Sequence, residues 1–339
     1  MNRKLTINRF LGTLLLGLFT PCLAAMAASE ESINQQIDAA LGGALIVDVD
    51  FGTIEVTAGA DGKVAVEAHR KVDFGDEAKE KEYLAAAPIS ISKDGNTVTV
   101  RAHSPRRENF WSFRHSRADG QYTISVPKSF NVELHTAGGS IITSKLAGSV
   151  KAHTSGGKLK FAHLEGTIEG KTSGGSIALD GCNGPVEIET SGGDITAVDG
   201  RGSLHAHTSG GGIHVRNFSG DTNVRTSGGE LTLNQIDGKL TGRTSGGSIV
   251  ASVPGPAVNE VNLESSAGSI DLALPATAAV DINAQTSAGR ITTSLPVTLL
   301  SADHEHLRGK LNGGGKAVVL RTSAGSITIK SSSSETAAR

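Results

Sequence analysis

Four residues whose side chains can hold a metal ion recur at one spacing in the middle of the chain. Glu187 and His205 are 18 residues apart, and so are Glu189 and His207. If coils of 18 residues stack in register, the two carboxylates lie beside the two imidazoles in a patch of about 5 by 7 Å. Such a set suits Zn²⁺ or a similar ion. The alternative is a solvated ladder of opposite charges across neighbouring strands.

A second candidate site is the segment 105–115, which is rich in aromatic and basic residues. It holds the only Trp of the chain and two of its nine Phe. Trp and Arg are favoured at binding hot spots, and aromatic rings stack on cations and sugars. We expect it to contact an anionic envelope polymer or a partner protein, unless it is a loop that packs its aromatic rings over one end of the fold. The binding residues of this prediction are Arg106, Arg107, Phe110, Trp111, Phe113 and Arg114.

Both candidate sites depend on a repeat that governs most of the chain. The motif Thr-Ser-Gly-Gly-x-(Ile/Leu) begins at Thr136, in the form Thr-Ala-Gly-Gly-Ser-Ile, and returns every 18 residues as far as Thr244. Looser copies, with Ala in place of the first Gly, start at Ser265, Thr286 and Thr322. A fixed period of this kind is typical of a repeat architecture.

Each 18-residue unit alternates apolar and polar positions on both sides of the motif. The side chains two and four residues before the motif Thr, and five and seven residues after it, are mostly apolar or small. Alternation with period two indicates two half-buried strands per unit, joined at corners where Gly permits positive φ. The sequence therefore predicts an all-β fold, a parallel β-solenoid (flattened β-helix) of about ten coils with an N-terminal β-strand cap.

Residues at equivalent positions of successive coils form rows, and these rows separate structural residues from reactive ones. Cys182 falls in a row that holds Leu, Phe and Ile in other coils, so we expect a buried apolar side chain. The motif Thr recurs in copy after copy, which indicates a structural hydroxyl ladder and not a nucleophile. Glu187 and Glu189 are the only adjacent outward acids on one strand, whereas glycoside hydrolysis requires a pair of catalytic carboxylates. We therefore expect no enzyme activity.

The N-terminus is typical of an export signal. Basic residues within 3–9 precede an apolar stretch at 10–23, and 25–27 form a small-residue cleavage site. The apolar stretch is too short for a membrane span, so we expect a mature protein in the periplasm, at the cell surface or secreted, without an integral membrane segment. Residues 1–27 hold three of the 32 basic side chains and none of the 34 acidic ones, so cleavage changes the formal charge from −2 to −5. This charge gives no case for nucleic acid as a partner.

The patterns divide the chain into five predicted parts. Composition and periodicity set the boundaries between them. After cleavage Cys182 is the only cysteine left, so no intramolecular disulfide can form. The parts are a signal peptide 1–27, a polar linker 28–43, an N-terminal β meander or cap 44–130, the solenoid repeats 131–330 and a disordered tail 331–339.

Several of these features occur together in a known family. They are the export signal, the strand meander, the repeated Thr-Ser-Gly-Gly-x-Ile coils, Asn-Gly-Gly-Gly at 312–315 and Thr-Ser-Ala-Gly-Ser-Ile-Thr-Ile at 322–329. With them the chain resembles the bacterial putative-adhesin family, a domain of unknown function, over about residues 44–330. The resemblance implies a β-solenoid at the cell envelope and supplies no catalytic residues.

The expected function is a non-catalytic binding or adhesion scaffold in the cell envelope, exported and without a cofactor. An envelope polysaccharide or a protein is the expected partner. One alternative is a polysaccharide-active enzyme, because parallel β-helices host such enzymes. The other is a structural envelope protein that associates with itself along the solenoid.

Overall fold

Two long β-sheets form the body of the protein. The computed structural model describes residues 29–103 and 117–332, and it places 14 strands in sheet A and 15 in sheet B. Along most strands buried and exposed side chains alternate, so the inward rows of both sheets form one apolar core. The predicted parallel β-solenoid is confirmed.

The strands of sheet B lead into the motif corners, and those of sheet A follow them. Sheet B contains β2 (Ala44–Val49), β5 (Ser90–Asp94), β6 (Thr97–Ala102), β8 (Asn131–Thr136), β10 (Val150–Thr154), β12 (Ile168–Thr172), β14 (Val186–Thr190), β16 (Leu204–Thr208), β18 (Thr222–Arg225), β20 (Leu240–Thr244), β22 (Val261–Ser265), β24 (Val280–Ala288), β26 (Thr298–Ala302), β27 (His306–Leu311) and β28 (Lys316–Ala324). Sheet A contains β1 (Ser29–Asp38), β3 (Thr53–Ala58), β4 (Lys63–Asp73), β7 (Arg117–Val126), β9 (Ile141–Ser144), β11 (Leu159–Ala162), β13 (Ile177–Asp180), β15 (Ile195–Arg201), β17 (Ile213–Ser219), β19 (Leu231–Asp237), β21 (Ile249–Ser252), β23 (Ile270–Leu274), β25 (Ile291–Thr293) and β29 (Ile327–Ser331).

A regular coil consists of one strand of sheet B, the motif corner, one strand of sheet A and a second corner. Successive coils pair in parallel with a shift of 18 residues. Thr154 lies beside Thr172 in sheet B, and Leu159 lies beside Ile177 in sheet A. Equivalent side chains therefore form straight rows along the solenoid, both inside and outside.

The spatial order of the coils departs from chain order at both ends. At the N-terminal end, β2 and β3 lie between the β6–β7 coil and the β8–β9 coil. At the C-terminal end, the last coil, β28–β29, is inserted between β22–β23 and β24–β25. The 36-residue step from Thr286 to Thr322 follows from this insertion, because the chain forms β26 and β27 before it returns.

Antiparallel strands form three of the four edges of the two sheets. β4 and β1 are added to sheet A beyond β7, and β5 is added to sheet B beyond β6. At the other end, β27 and β26 are added to sheet B beyond β24. The fourth edge strand, β25, has three residues. β5 and β26 have five residues each, and edges as short as these limit pairing with other chains, whereas β1 is a ten-residue edge.

The N-terminal region differs from its prediction in two respects. Residues 28–43 are predicted as a polar linker, but Ser29–Asp38 form β1 and pair with β4 along their whole length. Ile33 and Ile37 pack against the core while polar residues occupy the positions between, a pattern that the polar composition hides. Parallel pairing also starts before residue 131, because β2 and β3 are already stacked coils.

Polar contacts anchor the helix of the cap, α1 (Glu77–Ala86). The Asp76 side chain accepts from two backbone N–H groups of the first turn and caps the helix. Glu80 accepts hydrogen bonds from Ser29 and from the Phe74 backbone. Arg70 is fully buried, pairs with Glu31 and donates to the Ala87 carbonyl at 2.6 Å. No helix in the described ranges has the length and apolar character needed to cross a membrane.

Candidate functional site

The motif Thr is buried at each corner, and its hydroxyl joins two coils. Thr190 Oγ1 donates to the Gly175 carbonyl of the preceding coil at 2.8 Å and accepts from the Gly193 N–H at 3.3 Å. Ser265 makes the same two hydrogen bonds. This hydroxyl ladder is therefore part of the scaffold. The other complete pairs are at Thr154, Thr172, Thr208, Thr226 and Thr244.

The two glycines of the motif have different surroundings. A Cβ added at the second, Gly193, would lie 2.1 Å from the Gly175 carbonyl oxygen. A Cβ added at the first, Gly192, would meet no atom closer than 3.6 Å. The last three copies of the motif have Ala at the first position and keep Gly at the second. The close approach of neighbouring coils thus explains which glycine is replaced.

Positive φ occurs at the opposite corner and not in the motif. The expectation that the motif glycines adopt positive φ is wrong, because neither Gly192 nor Gly193 lies in that region. At the other corner Asp199 has φ of 54° and Gly202 has φ of 120°. Asn217, which takes the place of Asp199 in the next coil, donates to its carboxylate at 2.8 Å.

Cys182 lies inside the core, as its row predicts. Its side chain is 1% exposed, and its Sγ lies 3.6 Å from the carbonyl oxygens of Phe161 and Asp180. Burial raises the pKa of the Cys182 thiol. A thiol in this state is a poor nucleophile, so Cys182 serves packing.

The four predicted metal ligands lie side by side on the outer face of sheet B. Glu187 pairs with His205, and Glu189 pairs with His207, in the parallel register of β14 and β16. All four line a shallow groove over the sheet. Within 29–103 and 117–332, however, no three His, Cys, Asp or Glu side chains form a group that could hold a metal ion. Side chains on a sheet stand roughly parallel, so being neighbours does not make them converge.

The groove extends over three coils that carry no acid at the outward positions of sheet B next to the motif Thr. Each of these coils has three outward positions around the buried motif Thr. They lie three residues before it, one residue before it and one residue after it. None of these nine side chains is buried, and all can donate hydrogen bonds. We call them the donor block: His205, His207, Ser209, Asn223, Arg225, Ser227, Thr241, Arg243 and Ser245.

Other coils of sheet B contain acids at the same positions, although the coil of Thr154 does not, and several of these acids are paired. His135 lies 3.1 Å from Glu133, and Lys171 lies 3.5 Å from Glu169. At the other border of the donor block, Glu264 lies 3.4 Å from Arg243. In the described part of the chain, Arg225 has no ion pair.

Three acids of the same coils lie outside the donor block. Asp221 is near the opposite end of its strand, about 13 Å from Arg225 at 3.3 Å per residue, and accepts from the Lys239 backbone N–H. Glu230 lies beyond the motif corner, next to sheet A, and Asp237 ends β19 in sheet A. The donor block is thus a cationic area about 10 by 13 Å on a face of otherwise mixed charge.

A histidine clamp joins two coils at the N-terminal end. The ring nitrogens of His103 lie 2.8 Å from Asp48 Oδ1 and 2.7 Å from Asp50 Oδ1. Burial opposes the charged form, but the hydrogen bonds to Asp50 and Asp48 outweigh it and raise the pKa of His103. Sequence reasoning missed this clamp, because the exchanged order of the β2 and β6 coils brings together residues 53 or more positions apart.

The segment predicted as an aromatic and basic binding site falls between the two described ranges of the chain. Arg106, Arg107, Phe110, Trp111, Phe113 and Arg114 lie outside the described residues. The donor block was also missed from the sequence, although the signal was present. Listing the outward residues of sheet B around the motif Thr coil by coil, with the Ser of the motif included, reveals three successive coils without an acid at these positions.

Comparison with known proteins identifies a family. The profile of the family described as Toastrack DUF4097 matches residues 44–277, more than half of the chain. No curated protein matches the sequence. A structure from Bacteroides fragilis named a putative adhesin is 13% identical, with 89% of this chain and 98% of that chain covered and a TM-score of 0.33.

Two further structures show similar coverage. A putative cell adhesion protein from Clostridium sporogenes is 13% identical, with 89% and 100% covered and a TM-score of 0.24. A putative lipid binding protein from Parabacteroides distasonis is 10% identical, with 91% and 98% covered and a TM-score of 0.33. On the extent of the profile match, the chain belongs to the Toastrack DUF4097 family.

Proposed function

We propose that the protein is an exported, non-catalytic scaffold that binds a partner at the cell envelope through the outer face of sheet B. One observation carries the proposal. Inward positions repeat from coil to coil, whereas the charge of the outward positions of sheet B varies along the solenoid, from acids in the coil of Thr190 to arginines in the coils of Thr226 and Thr244. A face that only had to remain soluble would not need acids and bases gathered in separate areas. A binding face requires particular side chains at particular places.

The two other functions have less support. The motif hydroxyls, which could otherwise suggest catalysis, are occupied in hydrogen bonds between coils. Self-association along the solenoid would continue the parallel stacking of coils, but at three of the four described edges the outermost strand, β1, β5 or β26, pairs antiparallel with its neighbour. Export rests on the signal-like residues 1–27.

The test is a binding screen with the full chain, expressed in a bacterium and recovered after export. We expect an N-terminus after Ala27, retention on envelope fractions or arrayed glycans, and no shortening of any bound glycan. Product release would favour the polysaccharide-active alternative. Absence of binding to every fraction and glycan would refute the scaffold function, and sedimentation as long polymers would favour self-association.

A further inference from the structure

The donor block has a charge pattern that sheet pairing alone would disfavour. Arg225 lies directly beside Arg243 in the parallel register, and His207 lies beside Arg225 on the other side. Like charges at directly opposed positions destabilise a sheet. Two coils earlier the same row places Lys171 beside Glu189, which is the favourable arrangement. Glu264 already pairs with Arg243 at 3.4 Å, whereas Arg225 has no ion pair in the described part of the chain, so an anionic ligand seated against Arg225 and Arg243 would offset the remaining repulsion.

We propose that the donor block binds a linear acidic glycan through the carboxylates or sulfates of its sugars. This inference deepens the proposed function and rests on it. The guanidinium groups of Arg225 and Arg243 present planar sets of donors that match both anions. The side chains of Asn223, Thr241 and Ser227 lie in the adjacent rows, where they can pair with sugar hydroxyls.

The surroundings of the donor block favour a glycan over other polyanions. In the described part of the chain, the exposed large hydrophobic residues are Leu41, Val250, Leu299 and Leu300, and none of them belongs to the block. Single-stranded nucleic acid is bound largely by stacking on aromatic rings, and the block contains no Phe, Tyr or Trp. A bilayer surface would require apolar side chains to insert. A hydroxyl-rich chain with regular negative charges requires neither.

Acidic residues limit the contact at both borders. Glu187 and Glu189 precede the donor block, and Glu264 follows it. Because they repel a polyanion, the attractive contact spans three coils, about 10 Å along the solenoid. A single block then holds only a few sugars, so tight binding to an envelope polymer would come from many molecules acting together.

The decisive experiment compares two double variants that lose the same charge. The first is Arg225→Gln with Arg243→Gln in sheet B. The control is Arg216→Gln with Lys160→Gln, which are exposed residues on the outer face of sheet A. Each purified full-length exported protein is measured against immobilised heparin, polygalacturonate, dextran and single-stranded DNA, at about 0.05 M and about 0.2 M salt.

We expect the wild type to bind heparin or polygalacturonate, to ignore dextran, and to bind less at the higher salt concentration. Loss of the two arginines should weaken binding at least about tenfold, and the sheet A control should stay within about twofold. Binding to both acidic polymers would indicate shared anion chemistry, and binding to one would identify the sulfate or the carboxylate as the recognised group.

Three results would overturn the proposal. They are unchanged glycan binding in the Arg225→Gln/Arg243→Gln variant, an equal loss in the control, or DNA binding as tight as glycan binding. A wild type that binds neither acidic polymer also overturns it. In each case retention on other envelope components would leave the scaffold function intact, whereas its absence would remove both. Circular dichroism of each variant excludes unfolding as the cause.

Discussion

The motif corner and the donor block are built from the same coils but obey opposite rules. At the corner, every copy of the motif has Thr, or Ser at Ser265, together with the same second Gly, and their contacts join one coil to the next. In the donor block, the residues three positions before the motif Thr change with each coil, and Arg225 and Arg243 lie side by side at a cost to the sheet. The most repeated residues therefore support the fold, and residues that break the pattern are the better candidates for function.

The largest expected effect separates the two glycines of one motif. Gly193→Ala would place a Cβ 2.1 Å from the Gly175 carbonyl oxygen, so two coils must move apart. We expect a loss of about 3 kcal/mol or more in the free energy of unfolding. Gly192→Ala has room and should stay within about 0.5 kcal/mol of the wild type. Urea denaturation measures both, and equal losses would contradict the close-contact explanation.

A smaller loss of stability is expected when the hydroxyl is removed from one corner. Thr190→Val keeps the volume but leaves the Gly175 carbonyl and the Gly193 N–H without their partner. The cost should be about 1–3 kcal/mol in the same denaturation experiment. Thr190→Ser is the matched control, because Ser265 already fills this position in another coil. If Val is tolerated as well as Ser, the ladder does not stabilise the fold.

Sequence periodicity predicts the regular coils well because each inward row repeats at a fixed interval. It cannot predict the spatial order of the terminal coils, since the insertion of β28–β29 depends on contacts between residues far apart in sequence. The His103 clamp is hidden for the same reason. The patch of Glu187, Glu189, His205 and His207 could be predicted as neighbours, because register follows from the period. Whether such neighbours converge on a metal ion depends on side-chain direction, which the period does not contain.

The His103 clamp should make stability depend on pH. Its pKa is raised in the folded protein, so its contribution is fully present below the ordinary histidine pKa and is lost as pH rises through the higher folded value. As the pH rises through this range, the melting temperature of the wild type should therefore decrease more than the melting temperature of the His103→Gln variant. Parallel melting-temperature profiles of the two proteins between about pH 5 and 8 would show that the clamp does not stabilise the fold.

The smallest effect on stability is expected at the acidic border of the donor block, and there binding should respond instead. Glu187→Gln with Glu189→Gln changes two exposed side chains, so the free energy of unfolding should shift by less than about 0.5 kcal/mol. Removing two negative charges about 5 to 10 Å from a bound polyanion should raise the affinity for heparin about threefold at low salt. The control, Asp180→Asn with Asp271→Asn, removes the same charge from sheet A. Equal gains in both variants would mean that net charge alone controls binding, whereas a gain confined to the sheet B variant would place the ligand beside this border.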